Sequence, residues 1–213
     1  MDSAADEELD KVLSLSERFD DDVFALLETC WNSSSQRLVI CMAYCKAAVE
    51  HAVSQRVLIE AGLHGTALSL MRLHFEAVVR AAWVLHGAKD DWLIKFLTPV
   101  PDGDLNEPQM GPPIPAMLDA IKLHAPQAAL ELSRLNHTMK VMHSFVHGGA
   151  HLVVHALRGY PREKLVSVLQ NRNLLLLILT NVIVVASHQP QLIGIVRQLG
   201  EAHAGCMPPN GAV

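Results

Sequence analysis

Residues 143–156 read HSFVHGGAHLVVHA, with His143, His147, His151 and His155 each four positions after the last. On a continuous helix such spacing would stack four imidazoles on one face. Gly148 and Gly149 interrupt the run, and paired glycines are poor helix formers. A zinc site needs three or four converging His, Cys or carboxylate ligands. Residues 132–162 hold no Asp, Glu or Cys, and the local charge is positive, so no metal is expected there. A nucleophile would be Ser144, but no acid stands near to orient a neighboring histidine. General acid–base work needs only one histidine beside a cation and an anionic substrate. His147, next to the glycines, suits that role best, with His143 one turn before it. The competing reading is that these histidines pack and bond neighboring carbonyls. His151 and His155, embedded among apolar residues, fit that reading better.

A second polar motif lies upstream in LSLMRLHFEAVVRAAWVLH, residues 68–86. This helix is apolar nearly all round, yet it carries Arg72, Glu76 and Arg80. At about 100° per residue, the three fall on one arc with Ser69 and Trp83, and His74 lies well away. One carboxylate can then pair with two guanidiniums. Charges on so apolar a helix must be paired or line a cavity. Two roles remain open: an ion pair that sets helix register, or an anion pocket in which one arginine keeps spare donors. We expect the 69–80 stripe to face the 143–147 turn, with the glycines permitting close approach. His143, His147, Arg72, Glu76 and Arg80 are therefore the candidate catalytic residues. No cofactor is implied.

The elements that must position these groups read as helices. Half of the 213 residues are apolar and only 5% are aromatic, which favors an aliphatic helical core. Leu9, Val12, Leu13, Phe19, Val23, Leu26 and Leu27 recur at helical intervals, giving an amphipathic helix or helix pair with an acidic outer face. Further helices are expected from about Ser35 to Glu60, Thr66 to His86, and Asp90 to Phe96. Residues 98–115, with six prolines and two glycines, read as a long exposed loop. Helices resume near Ala116, break at Pro126 and run toward His147. Pro161 starts a long apolar helix to about Ser187, and Pro190 a short last one. The expected architecture is an all-α multi-helix bundle, one domain over residues 1–205, with a loose tail at 206–213.

Charge and cysteines narrow the class. The first thirty residues hold ten of the 22 acids against Lys11 and Arg18, so the remainder is mildly basic despite a net charge of -5. That excess is too small to indicate general nucleic-acid binding by charge alone. Cys30, Cys41, Cys45 and Cys206 form no disulfide framework or zinc pattern. The acidic N-terminus is unlike a secretory signal. The most apolar run, residues 174–186, is short for a membrane span and contains Thr180 and Asn181. A cytoplasmic protein with no membrane contact is expected.

MRLHFEAVVRAAW (71–83) and HSFVHGGAH (143–151) together resemble a group of uncharacterised bacterial all-helical proteins. These carry an Arg-x-x-x-Glu helix and a Ser-x-x-x-His-Gly-type signature. The group is in turn distantly similar to HEPN-type helical bundles. The resemblance implies a HEPN-like fold, a homodimer, and a toxin or defence role acting on or binding RNA or nucleotides. Catalytic HEPN proteins are metal-independent ribonucleases whose signature sets a histidine four to six residues after an arginine. Arg80 and His86 match that count, but Ala81 follows Arg80 where a polar residue is usual. Lys140, not arginine, stands ahead of His147. The resemblance thus bears on fold more than on chemistry. The competing class is a non-enzymatic helical interaction protein in which the Arg/Glu/His residues form a structural network.

Overall fold

The computed structural model describes residues 3–30, 34–98 and 111–209. Among these, every regular element is helical: α1 (Ser3–Leu27), α2 (Gln36–Glu60), α3 (His64–His86), α4 (Asp90–Leu97), α5 (Ile114–Lys122), α6 (Pro126–Val146), α7 (Ala150–Arg158), α8 (Arg162–Ala186) and α9 (Ile193–Ala202). Short 3-10 turns, Pro190–Leu192 and Ala204–Cys206, flank α9. The all-α expectation therefore holds.

Local chemistry sets most boundaries. Ser35 caps α2, its Oγ accepting from the Leu38 N–H at 3.3 Å. The α3 helix begins at His64, two residues earlier than the pattern indicated, and ends where Gly87 N–H donates to the Trp83 carbonyl. Arg37 then satisfies carbonyls at that end: its Nη1 donates to Val84 O and Ala88 O, both at 2.7 Å, and its Nη2 to Asp90 Oδ1 at 2.8 Å. Pro126 and Pro161 stand at the starts of α6 and α8, where a missing N–H costs nothing. The N-terminal pattern forms one continuous helix, its Leu9, Val12, Phe19, Val23 and Leu27 all buried.

Helix α8 is the center of the fold. It packs against α1, α2 and α3, while α3 also meets α5 and α6. By length and composition α8 could cross a membrane, but 78% of its most apolar window is buried inside the bundle. Two expectations about irregular segments change. Ile114 and Pro115 already belong to α5, and residues 99–110 of the proline-rich stretch lie outside the described residues. The C-terminal stretch does not come loose at 206: Cys206 and Met207 are buried. The Asn173 side-chain amide on α8 holds the Cys206 carbonyl at 2.9 Å. The turn Ala204–Cys206 also packs against α1 and α8.

A buried polar network ties α8 to its neighbors. Arg172, with no exposed surface, donates through Nη1 to Asp20 Oδ1 at 2.5 Å and through Nη2 to Asp20 Oδ2 at 2.8 Å. Its Nε reaches the Ala52 carbonyl at 2.8 Å, and Nη1 also reaches Asn173 Oδ1. Arg56 on α2 adds a bond from Nε to Asp20 Oδ2 at 2.9 Å. Asp20 thus serves two arginines inside the core. Charges so placed are tolerated only when paired and hydrogen-bonded throughout.

Candidate functional site

The α3 stripe forms the expected ladder. Arg72 Nε lies 2.9 Å from Glu76 Oε1, and Arg80 Nη1 lies 2.9 Å from Glu76 Oε2. The side chains are half-buried, at 30% exposure for Arg72, 22% for Glu76 and 17% for Arg80. Both oxygens of Glu76 are engaged, so one carboxylate is shared by two guanidiniums and one positive charge is left over.

The two arginines are held differently. Arg72 is tied to the neighboring helix, its Nη1 donating to the Met139 carbonyl of α6 at 3.4 Å. One turn earlier, the Ser69 hydroxyl lies between the carbonyls of Gly65, at 3.0 Å, and Phe145, at 3.1 Å. The stripe therefore faces the C-terminal half of α6. Among the described residues Arg80 is held through Glu76 alone, and its buried Nε has no partner. Among the same residues the buried hydroxyl of Tyr44, on α2, also lacks a partner. Burial pushes the Tyr44 phenol above its ordinary range, and the positive charge of Arg80 pulls it back. An aromatic wall continues from Tyr44 through Phe96, at 6.3 Å between centroids, to Trp92, at 4.8 Å, and on to Trp83, at 4.6 Å.

The histidines do not assemble as expected. His143 and His147 are solvent-exposed at the end of α6, their ring centroids 4.1 Å apart. Among the described residues neither bonds to the ladder, which meets α6 through backbone carbonyls instead. The reason lies first in the phase of α6: Phe145, buried beside Ser69, is about 160° round the helix from the exposed His143. Gly148 has φ +66°, and a Cβ on Gly149 would sit 2.5 Å from Ser144 Oγ. The glycines turn the chain so that α7 packs on the end of α6 and also reaches the start of α3, where Leu152 lies close to Gly65. Ser144 Oγ then accepts from the His151 N–H at 3.0 Å, supplying a partner at the start of α7. His151 is exposed and does not pack. His155 does, stacked between Phe145 and Tyr160, with its Nδ1 3.2 Å from the Gly159 carbonyl.

Arg80 and His86 are not brought together either. Six residues on a helix place them about 120° apart. His86 instead stacks on His124, at 5.9 Å, and burial followed by the nearby His124 lowers its pKa.

Three features escaped the sequence pattern: Tyr44 and Phe96 beside the ladder, the Asp20–Arg172 network, and a buried amide–imidazole pair. In that pair Gln55 Nε2 bonds His74 Nδ1 at 3.1 Å, deep between α2 and α3. Desolvation, then the charge of Arg172 and the nearby His51, holds the His74 pKa well below the usual imidazole range. Only the position of His74 away from the stripe hinted at a separate role. A cavity of about 1100 Å³ lies elsewhere, lined by Leu135, Leu174, Leu177 and Met207. Its charges are matched one to one, Arg134 with Glu131 and Arg197 with Glu201, so it carries no surplus for an ion. The ladder does.

The family of unknown function DUF6988 matches residues 45–209, and the chain belongs to that family. The match contains the whole ladder and both glycines. Neither a curated protein nor a solved structure matches the chain.

Proposed function

We propose that this member of the family binds a phosphate-bearing ligand, RNA or a nucleotide, at the Arg72–Glu76–Arg80 ladder. The observation that carries the reading is the count of charges: two guanidiniums share one carboxylate in a half-buried setting, and Arg80 keeps donors unused. A guanidinium beside low-dielectric walls is a strong partner for phosphate, and its planar fork suits two oxygens at once. The distant HEPN-like resemblance supports the same ligand class and a role in defence or toxicity. The exposed His143 and His147 leave the ladder as a binding site in this reading, with no general base assigned. The alternative is that the ladder only sets the packing of α3 against α6.

Titration with inorganic phosphate, a nucleoside monophosphate and a short RNA separates the two. Binding that weakens with added salt and falls at least tenfold in Arg80→Gln supports the proposal. No binding of any phosphate at millimolar concentration, or binding unchanged in both Arg72→Gln and Arg80→Gln, overturns it.

A further inference from the structure

Resting on that reading, we infer that the site takes a nucleotide base as well as a phosphate, seated on Tyr44 and Phe96 beside Arg80. Arg72 is anchored at both ends, to Glu76 and to the Met139 carbonyl, which suits it to positioning the carboxylate. Arg80 is the arginine with a buried donor to spare among the described residues. Tyr44, one turn along α2 from the Cys41 that bonds the Ala81 carbonyl, lies near enough to feel the Arg80 charge, and Phe96 stands next to Tyr44. Tyr44 and Phe96 are both half-buried, so their rings contribute surface at the edge of the site. Phe96 is itself backed by Trp92, stacked at 4.8 Å with 27° between the planes. A backed ring of this kind is a rigid platform.

The polar groups at this platform match a base edge better than a bare phosphate. Arg80 Nε is a donor, and the Tyr44 hydroxyl both donates and accepts. Both are buried without a partner among the described residues, which is costly unless something else engages them. A base offers ring nitrogens and exocyclic oxygens or amines to such groups, and a flat face to the ring beneath. Stacking of this type tolerates any base, because each has a π-face. A simple phosphate would engage the guanidinium and leave the Tyr44 hydroxyl and the platform unused.

Calorimetric titration of the full chain with adenosine monophosphate, ribose 5-phosphate and inorganic phosphate tests this. Adenosine monophosphate is expected to bind at least about tenfold tighter than ribose 5-phosphate, from base stacking. Phe96→Leu keeps an apolar side chain but removes the ring, and Tyr44→Phe keeps the ring but removes the hydroxyl. Phe96→Leu should erase most of the advantage of the base and Tyr44→Phe a smaller part of it, while ribose 5-phosphate affinity stays as in the parent. Equal affinity for the two sugar phosphates, or an advantage that survives Phe96→Leu, overturns the base site while leaving the phosphate site standing. Failure of all three probes to bind overturns both. A short oligoadenylate distinguishes the source. Tighter binding than the monophosphate, lost in the same variants, supports this site with RNA as the ligand. Binding no tighter supports it with a free nucleotide.

Discussion

Two carboxylates in this protein each hold two arginines, and they differ in burial. Asp20 is 2% exposed and pairs with Arg172, which has no exposed surface, and with Arg56, 13% exposed. Glu76 is 22% exposed, between arginines at 30% and 17%. Neutralizing each in turn, as Asp20→Asn and Glu76→Gln, keeps side-chain volume and removes one charge. Breaking a fully buried pair leaves an uncompensated cation in a low-dielectric interior and costs about 3–5 kcal/mol. Surface pairs are worth about 0–1 kcal/mol because solvent screens the stranded charge. Glu76 stands between these limits, so about 1–2 kcal/mol is expected there. Asp20→Asn should fall at the upper end, because Arg172 cannot reach water without opening the α1–α8 contact. Urea unfolding followed by far-UV circular dichroism measures both, with an unchanged slope showing that only stability moved. Adding Arg172→Met to Asp20→Asn should recover part of the loss, since the stranded charge goes with it. A cost for Asp20→Asn equal to or smaller than that for Glu76→Gln would refute the link between burial and cost used here.

Other outcomes follow from the same structure. His74 has a folded-state pKa below the ordinary 6.5, so below that pH the unfolded chain takes up a proton that the folded chain refuses. Stability should therefore fall as pH drops from about 7, by at most about 1.4 kcal/mol per pH unit for this one group. His51, His64 and His86 shift the same way, and pH-dependent urea melts of His74→Gln should show a shallower acid slope. Ser144→Ala removes the bond to the first turn of α7 and should cost about 1 kcal/mol, read by the same melts. Gly148→Ala puts a side chain at φ +66° and should cost about 1–2 kcal/mol, although no atom crowds the position. A homodimer remains our proposal for the assembled state. Sedimentation velocity should show a dimer that weakens in Leu157→Glu, a residue 82% exposed on α7 near Val153 and Val154.

The sequence alone determined what short-range chemistry controls. Ser35, Gly87, Pro126 and Pro161 mark helix ends because a cap or a missing N–H acts within one turn. The all-α class follows from apolar periodicity, which is also local. The Arg72–Glu76–Arg80 ladder was readable for the same reason, since i, i+4 geometry is internal to one helix. The fate of the histidines was not readable. Whether His143 meets Arg72 depends on which face α6 turns to α3, and that face presents the Met139 and Phe145 carbonyls while His143 stays exposed. Asp20 stands among Asp21 and Asp22 in a run that reads as an acidic outer face. Only the packing of α1 on α8 places it over Arg172, 152 positions away, where pairing makes its burial tolerable. Tyr44 comes to Arg80 because α2 and α3 pack side by side, and Phe96 comes to Tyr44 because ring contacts and the Arg37–Asp90 bond tie α4 to that pair. These contacts are set by the burial of apolar faces summed over whole helices. That sum is nondirectional and long-range, so no local motif in the chain encodes which polar groups it brings together.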